Sequence, residues 1–393
     1  MKRAVIAALC LLASTPAFAQ EKKVEVKKAE PSVFTWGGYG SAGVELRHRP
    51  VGLPRDRWVY DLWGTVGLLV EARPIEMWSA RLDAQFTGRG ALVVTDVGQT
   101  DLDFDGRPEE LTQSKTRLSG LNVEQAVIRF EPSPMFNATA GSMRIPFTAQ
   151  TQSASSALLF PTRPPPNEIF LTGADLGATA QGDFADGIFT VLAGVFKGDS
   201  VGPKIDRTVT RGVVIAGRTD INPFGRFNFY EGDPQQGPFR LGIGGGILYR
   251  PAAVYDENTG YEATGIHDMR FSASLRMAVA GFYVGVEYLR RLQLDDTSNR
   301  PLEADGAYAQ ASFFWRLTDN FAMEPIARIG FTALDESFDT RLVGWFDGGL
   351  SFYPRADHPR PDILRLTIQY VGEQRFTEDE SAHGGSIALQ LKF

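Results

Sequence analysis

The sequence contains a single cysteine, Cys10, in 393 residues. Cys10 lies within residues 1–19, which have the basic start, short apolar middle and Ala17-Phe18-Ala19 ending typical of a secretory signal peptide. Cleavage after Ala19 would leave an exported chain with no disulfide and no thiol. The fold must then be held together without covalent cross-links.

Long apolar runs, paired histidines and an excess of positive charge are also absent. No run of about 18 apolar residues follows residue 19, which excludes transmembrane helices. Forty Lys and Arg against 47 Asp and Glu give a net charge of −7, which argues against a nucleic-acid partner. The four histidines show no i, i+4 spacing, so zinc ligation and a catalytic triad have little basis, and an enzyme is not predicted.

Beyond the signal peptide, the sequence consists mainly of short runs in which apolar and polar residues alternate. In residues 58–73, for example, Leu62 and Val66 share one parity, and Asp61 and Glu71 share the other. A period of two predicts β-strands with one apolar and one polar face. The pattern fits a soluble sandwich, whose apolar face is buried, and a membrane barrel, whose apolar face meets lipid.

The lengths of the links between strands favour the barrel. Sixteen strands are predicted in residues 34–393, joined alternately by tight turns such as 280–281 and by long polar stretches such as 90–120. Short turns at one end and long loops at the other are typical of outer-membrane barrels. Two links break this rule, namely 220–239 and 354–362.

We therefore predict an all-β fold, a closed antiparallel transmembrane β-barrel of 16 strands, for residues 33–393. It follows the signal peptide and a charged periplasmic lead-in at 20–32. The last strand ends on Phe393 and resembles the C-terminal strand of bacterial outer-membrane barrels, whose final aromatic residue helps to direct assembly. It must pair with the first strand, near 34–47, to remove both sheet edges. Pro325 cannot donate to a strand ladder, and we expect a bulge beside it.

Four short motifs occur in order along the chain: Gly141-Ser-Met-Arg-Ile-Pro-Phe147, Gly173-Ala-Asp-Leu-Gly177, Leu192-Ala-Gly-Val-Phe-Lys-Gly198 and Gly306-Ala-Tyr-Ala-Gln-Ala-Ser-Phe-Phe314. In this order they resemble the phosphate-selective porin O/P family. The resemblance implies a sixteen-stranded channel in the lipid of the bacterial outer membrane, assembled as a homotrimer. It also implies ion transport by passive diffusion, through a pore narrowed by an infolded third loop.

The third loop of this chain would be residues 146–174. Pro161 and Pro164 to Pro166 stiffen it, and it carries large apolar side chains at Phe147, Leu158, Leu159, Phe160, Ile169 and Phe170. So apolar a loop is expected to pack in the barrel interior rather than to be freely solvated. Phosphate-selective members of the family use many lumenal Arg and Lys. Lysine is scarce here beyond the lead-in, so phosphate selectivity is not carried over.

Strand parity places charges of both signs on the lumenal face. The predicted lumenal cations include Arg81, Arg218, Arg270, Arg276, Arg316, Arg328 and Arg365. A lining of mixed sign is typical of a general pore for small solutes, whereas a ring of one sign would filter ions. The alternative is that many of these charges only pair with one another across the wall.

Arg144 and Arg163 are the candidate cations of the constriction. Arg144 lies just before the third loop, and Arg163 lies within that loop, beside the acidic residue Glu168. We therefore predict that the narrowest part of the pore is lined by these three side chains.

A possible calcium site is predicted in the second outer loop. Asp101, Asp103 and Asp105 alternate before Gly106, as in the first half of a calcium loop. Thr112 stands where a bidentate Glu is expected, so a solvated acidic loop tip is the alternative. No other metal and no cofactor is predicted.

The predicted function is that of an outer-membrane porin for small hydrophilic solutes or anions. The alternative is an outer-membrane barrel whose extracellular loops bind a surface partner and whose lumen is closed. A soluble periplasmic β protein is a third possibility, which the lipid-like outward face opposes.

Overall fold

A computed structural model of the chain describes residues 34–51, 55–95, 112–154, 157–170, 173–198, 208–211, 213–227, 230–256, 261–295, 302–336, 339–356, 363–377 and 380–392. The predicted signal peptide and lead-in lie outside the described residues. So do the candidate calcium ligands Asp101, Asp103 and Asp105, and the final Phe393.

Strand segments follow one another along the described chain and form one antiparallel sheet. We number them β1 (Phe34–Val51), β2 (Arg55–Ile75), β3 (Trp78–Thr95), β4 (Thr112–Ser133), β5 (Phe136–Arg144), β6 (Ala174–Phe184), β7 (Phe189–Phe196), β8 (Thr208–Arg211 with Val214–Ile221), β9 (Arg240–Asp256), β10 (Tyr261–Val279), β11 (Phe282–Asp295), β12 (Leu302–Phe313 with Trp315–Arg316), β13 (Ala322–Glu336), β14 (Asp339–Tyr353), β15 (Leu364–Arg375) and β16 (Glu380–Lys392). Two short helices, α1 (Ala149–Gln152) and α2 (Pro165–Phe170), follow β5.

The sheet closes on itself. The last strand, β16, pairs with β1 in an unbroken register from Tyr39 opposite Lys392 to His48 opposite His383. Each segment of β8 pairs with β9, and each segment of β12 pairs with β13, in one continuous register. The prediction of a closed antiparallel barrel of 16 strands, with its first and last strands paired, is therefore confirmed.

Pro325 interrupts the wall without shifting it. The register places it in β13 opposite Phe313, the last residue before the break in β12. The next residue, Phe314, lies in the break, and its N–H donates to the carbonyl of Gly281 at 2.8 Å. The pairs on either side, Ser312 with Ile326 and Trp315 with Met323, keep the same register. The predicted bulge is therefore wrong. Proline removes one donor, and a gap in the ladder accommodates that loss without an extra residue.

The two faces of the wall have opposite chemistry. Apolar side chains such as Val66, Ile243 and Ile368 point outward and are exposed, whereas Arg270 and Glu287 point inward and are buried. A soluble sandwich would bury its apolar face and expose its charges. The wall therefore has the inverted arrangement of a barrel whose outside faces lipid.

Aromatic side chains gather on the outside at the end of the barrel that carries the short turns. Trp36 is 69% exposed there, and Trp78, Phe136, Phe282 and Phe321 are also exposed on the outward surface. Aromatic rings are favoured at a membrane interface, where an apolar body meets polar head groups. At the long-loop end, Arg290 pairs on the outside with Glu303 at 2.7 Å. The apolar band of the outer surface therefore ends on the short-turn side of that pair.

Among the described residues, no helix is both long and apolar enough to cross a membrane.

The outward position of Ile368 on β15 provides a test of the lipid face. Ile368 lies four residues above the short-turn end of its strand, which places it near the middle of the apolar band. We expect Ile368→Arg to lower the free energy of unfolding by about 2–4 kcal/mol, because a charge is costly at mid-membrane depth. Guanidinium unfolding in lipid vesicles, followed by tryptophan fluorescence, measures this change.

Leu342→Arg is the matched control. Leu342 also points outward but lies near the long-loop end of β14, where the same change should cost about 0–1 kcal/mol. Equal costs at the two positions would contradict a lipid-facing wall.

Candidate functional site in the barrel interior

The segment after β5, residues 145–170, is the most deeply buried stretch without strands; residues 155–156 of it are not described. We call it the anchored segment. Ile145, Phe147, Leu159 and Phe170 are almost fully buried, in agreement with the expectation that this apolar loop packs against other residues. Thr148 caps α1 by accepting a hydrogen bond from the N–H of Thr151 at 3.0 Å.

Backbone carbonyls of the anchored segment accept hydrogen bonds from inward-facing arginines of the wall. The bonds run from Arg218 to Phe147 (3.4 Å), from Arg270 to Phe170 (3.0 Å), from Arg328 to Thr162 (2.9 Å), and from Arg365 to Leu158 (2.8 Å) and Leu159 (3.3 Å). These carbonyls have no strand ladder, so the wall must supply their donors. A guanidinium is well suited to this task because it presents five N–H groups in a fixed plane.

Two carboxylates accept from backbone N–H groups of the same segment. Glu287 on β11 accepts from the N–H of Ala149 at 2.7 Å and from the hydroxyl of Tyr308 at 2.7 Å. Glu231, in the link after β8, accepts from the N–H of Leu159 at 2.8 Å and from the side chain of Gln150. Arginines thus donate to carbonyls of the segment, and glutamates accept from its N–H groups. Backbone acceptors and backbone donors of the segment therefore both have side-chain partners.

Each anchoring arginine also has a partner on the wall. Arg218 lies 2.7 Å from Asp220, Arg270 lies 2.6 Å from Asp268, Arg328 pairs with Asp347, and Arg365 donates to Gln390 at 2.6 Å. Arg276 lies 3.4 Å from Asp220 and over the ring of Phe227. The pairing of charges across the wall, left open by the sequence, thus applies to Arg218, Arg270, Arg276 and Arg328.

Arg144 and Arg163 converge on one carbonyl. Arg144 donates to the oxygen of Ser153 at 2.7 Å, and Arg163 donates to the same oxygen at 3.0 Å and to Gln150. The structure therefore brings these two predicted constriction cations together. The side chain of Glu168 lies outside the described residues, although its backbone belongs to α2.

Two predicted lumenal cations lie away from these anchoring contacts. Arg81 on β3 points inward, 3.9 Å from Asp83, and Arg316 is exposed at the short-turn end of β12. Neither the sequence nor the parity of the strands distinguishes such residues from the anchoring arginines.

The link between β8 and β9 is the part of the site that sequence reasoning missed. Its residues Asn222, Phe227, Glu231 and Asp233 are buried. Asp233 accepts from the N–H of Gly281 at 2.9 Å and pairs with Arg240, which holds the link against the neighbouring turn. The sequence did contain one signal of this buried link. The link at 220–239 is long, although it lies at the end of the barrel where the other links are short turns.

Glycine is required where the wall meets the anchored segment. The glycines of β9 at 242, 244 and 246 face inward, and a Cβ on Gly246 would overlap the carbonyl oxygen of Phe147. That same oxygen accepts from Ser272 at 2.7 Å. The close approach of the segment to β9 therefore leaves no room for a side chain at Gly246.

Little space remains between the segment and this part of the wall. A cavity of about 10 Å³ is lined by Ala149, Glu231, Arg276, Tyr283 and Tyr308. That volume is close to the minimum for one water molecule. The buried side of the segment therefore offers no room for a solute at this position.

Comparison with known proteins identifies a family. The family described as phosphate-selective porin O and P matches residues 98–374, more than half of the chain. Comparison with curated proteins gives no match.

Solved structures share the fold. The anion-selective porin from Comamonas acidovorans has 10% sequence identity and a TM-score of 0.56, with 92% of this chain and 99% of that chain covered. The high-pH structure of Pseudomonas putida OprB has 9% identity and a TM-score of 0.56, covering 92% and 94%. Salmonella typhi OmpF in complex with daunomycin has 8% identity and a TM-score of 0.54, covering 92% and 97%. At such low identity, these likenesses concern the fold alone.

Gly246→Ala tests the contact between β9 and the anchored segment. We expect it to lower the free energy of unfolding by about 1–3 kcal/mol, because the new Cβ forces the backbone at Phe147 away from the wall. Gly245→Ala is the control, since its Cβ would meet the nearest atom at 3.5 Å, an ordinary contact. Urea unfolding of both variants measures the difference. Equal stabilities would show that Phe147 does not approach β9 this closely.

Glu231→Gln tests the buried carboxyl of the link. Burial raises the pKa of Glu231 above the ordinary glutamate range. The folded state therefore binds this proton more tightly, so its contribution to stability is complete at acid pH and is lost as the pH rises through the raised pKa. The stability of the wild type should fall more steeply with pH than that of Glu231→Gln, by at most about 1.4 kcal/mol per pH unit. Parallel curves would contradict the burial of this group.

Proposed function

Because the chain belongs to the phosphate-selective porin O and P family, a family of outer-membrane porins, we propose that it carries small hydrophilic solutes or anions through a barrel narrowed by residues 145–170. The chain is located in the bacterial outer membrane, as the family and the barrel fold require. The family indicates a channel rather than an enzyme, and we expect neither catalysis nor a cofactor.

The anchoring of residues 145–170 is the observation that supports this proposal. Arg218, Arg270, Arg328 and Arg365 point inward from the wall, and each donates to a carbonyl of the segment. A segment held by inward-facing side chains occupies part of the lumen and reduces the cross-section left for solutes. These four arginines, all from the wall, keep that reduced opening at a fixed size.

Charges of both signs on the inner wall support a broad class of solutes. The solvent-exposed part of the wall pairs Arg73 with Glu71 and Arg129 with Glu131, so neither sign dominates there. Such a lining supports small hydrophilic solutes more than a strict anion filter. Phosphate selectivity is not part of the proposal, because lysine is scarce along the barrel.

A closed barrel that binds a surface partner through its outer loops is the second candidate. The tight fit between the anchored segment and the wall, with a cavity of about 10 Å³ beside Glu231, favours this alternative. The homotrimer implied by the family and a calcium ion at Asp101, Asp103 and Asp105 both stay predictions. Sedimentation in detergent and a calcium titration would test them.

Single-channel recording in planar bilayers tests the proposed function. We expect steady conductance steps from the wild type. The paired change Arg328→Gln with Asp347→Asn should give larger or noisier steps, because it weakens the contact with Thr162 and leaves no buried charge unpaired. Arg290→Gln, on the outer face, is the control and should conduct like the wild type.

The two candidate functions predict different recordings. A wild type that is silent while the Arg328→Gln, Asp347→Asn variant conducts would favour the closed barrel. Silence from both proteins, when both are folded, would contradict the proposed porin.

A further inference from the structure

We propose that the ion preference of this channel is set by a charge-paired strip on the inner face of β2, β3 and β4, and not by the arginines that hold the anchored segment. The strip consists of Glu71, Arg73, Arg81, Asp83, Arg129 and Glu131. This inference rests on the proposed function, because it concerns the solutes that such a channel would admit.

Solvent reaches the two sets of charges to very different extents. The side chains of Glu71, Arg73, Arg81, Arg129 and Glu131 are 29–44% exposed. The anchoring arginines of β8, β10, β13 and β15 are at most 4% exposed. A passing ion interacts strongly only with charges that it can approach through water at short range. The strip therefore acts on solutes, whereas the anchoring arginines act on protein.

The strip faces inward. Leu68, Leu82 and Ile128 are exposed on the apolar outer surface, and the charges lie at the opposite parity of the same strands. Pairing of the strands places Glu71 opposite Arg81 on neighbouring strands. The six side chains thus form one continuous patch of the inner wall.

The strip lies across the barrel from Glu287, one of the residues that hold the anchored segment. Glu287, which accepts from the N–H of Ala149, is on β11. In a closed ring of 16 strands, β11 is eight strands from β3, which is half of the ring in either direction. The arginines that hold the segment lie on β8 to β15, whereas on β4 the segment packs against Val127. The strip borders that contact, and the side chains of Arg81 and Arg129 beside it are still 35% and 39% exposed.

The strip is also near one mouth of the barrel. Glu71 and Arg81 are within five residues of the turn at 76–77, and Arg129 and Glu131 are within five residues of the turn at 134–135. These short turns mark the periplasmic end of an outer-membrane barrel. The strip thus lines the periplasmic side of the path.

The strip carries three cations and three anions, four of them in a connected chain and two, Arg81 and Asp83, as a separate pair. Arg73 lies 3.6 Å from Glu71 and 3.5 Å from Glu131, which lies 3.4 Å from Arg129. The side chains of Glu71, Arg73, Arg129 and Glu131 are solvated, so these charges also act on ions nearby. Because the numbers of cations and anions are equal, the wild type should discriminate only weakly between anions and cations. Neutralising the charges of one sign leaves the charges of the other sign in excess.

Reversal potentials in a salt gradient test the strip. The paired change Glu71→Gln with Glu131→Gln leaves the arginines in excess, so the ratio of anion to cation permeability should rise on the order of a few-fold at low salt. Arg73→Gln with Arg129→Gln should lower the same ratio. Both shifts should shrink as the salt concentration rises, because the charges are exposed and screened.

Glu303→Gln with Asp305→Asn is the matched control. It removes two negative charges from the outer face of β12, near Arg290, and should leave the permeability ratio unchanged. The proposed role of the strip is refuted if the channel conducts but neither strip variant changes the ratio of anion to cation permeability. It is also refuted if the control changes that ratio equally. Absence of conductance from every protein, including the wild type, would instead refute the proposed function.

Discussion

The structure depends on one constraint: the backbone of residues 145–170 has no strand to pair with, so side chains of the wall must satisfy its polar groups. Arginine meets this need because one guanidinium can face an acid on the wall and a carbonyl on the segment at once. Arg218 does so with Asp220 and Phe147, and Arg270 does so with Asp268 and Phe170. Glu287 serves the N–H groups in the same way. Removal of either partner would leave a buried polar group without compensation, which costs more than the bond contributes.

This constraint divides the inner wall into two functional parts. On β8, β10, β13 and β15, the arginines that hold the anchored segment are buried and paired. On β2 to β4, charged side chains stay within reach of water. Parity assigns both groups to the inner face, but parity does not say what lies opposite that face. In the proposed channel, the position of the segment decides which charges a solute would meet.

Much of the barrel could be predicted from sequence, because alternation and turn length are local signals. The strand count and the pairing of β16 with β1 both follow from short stretches of sequence. The roles of individual arginines could not be predicted, because their partners are remote: Arg328 contacts Thr162, and Arg365 contacts Leu158. The buried link with Glu231 was missed for the same reason. At Pro325 the local rule was right about the lost donor but wrong about the bulge, since a gap in the ladder costs no change of register.

The scarcity of lysine has a structural reason in this arrangement. A lysine ammonium is a single point charge on a flexible stem, whereas an anchoring residue here must bond to a wall acid and a backbone carbonyl in two fixed directions. Arg218 donates to Asp220 through two nitrogens and to Ser274 through one of them, while a third nitrogen reaches Phe147. Lysine cannot reproduce that geometry, so a wall that holds a segment in this way selects arginine. The use of arginine in place of lysine at these four positions therefore reflects how residues 145–170 are held.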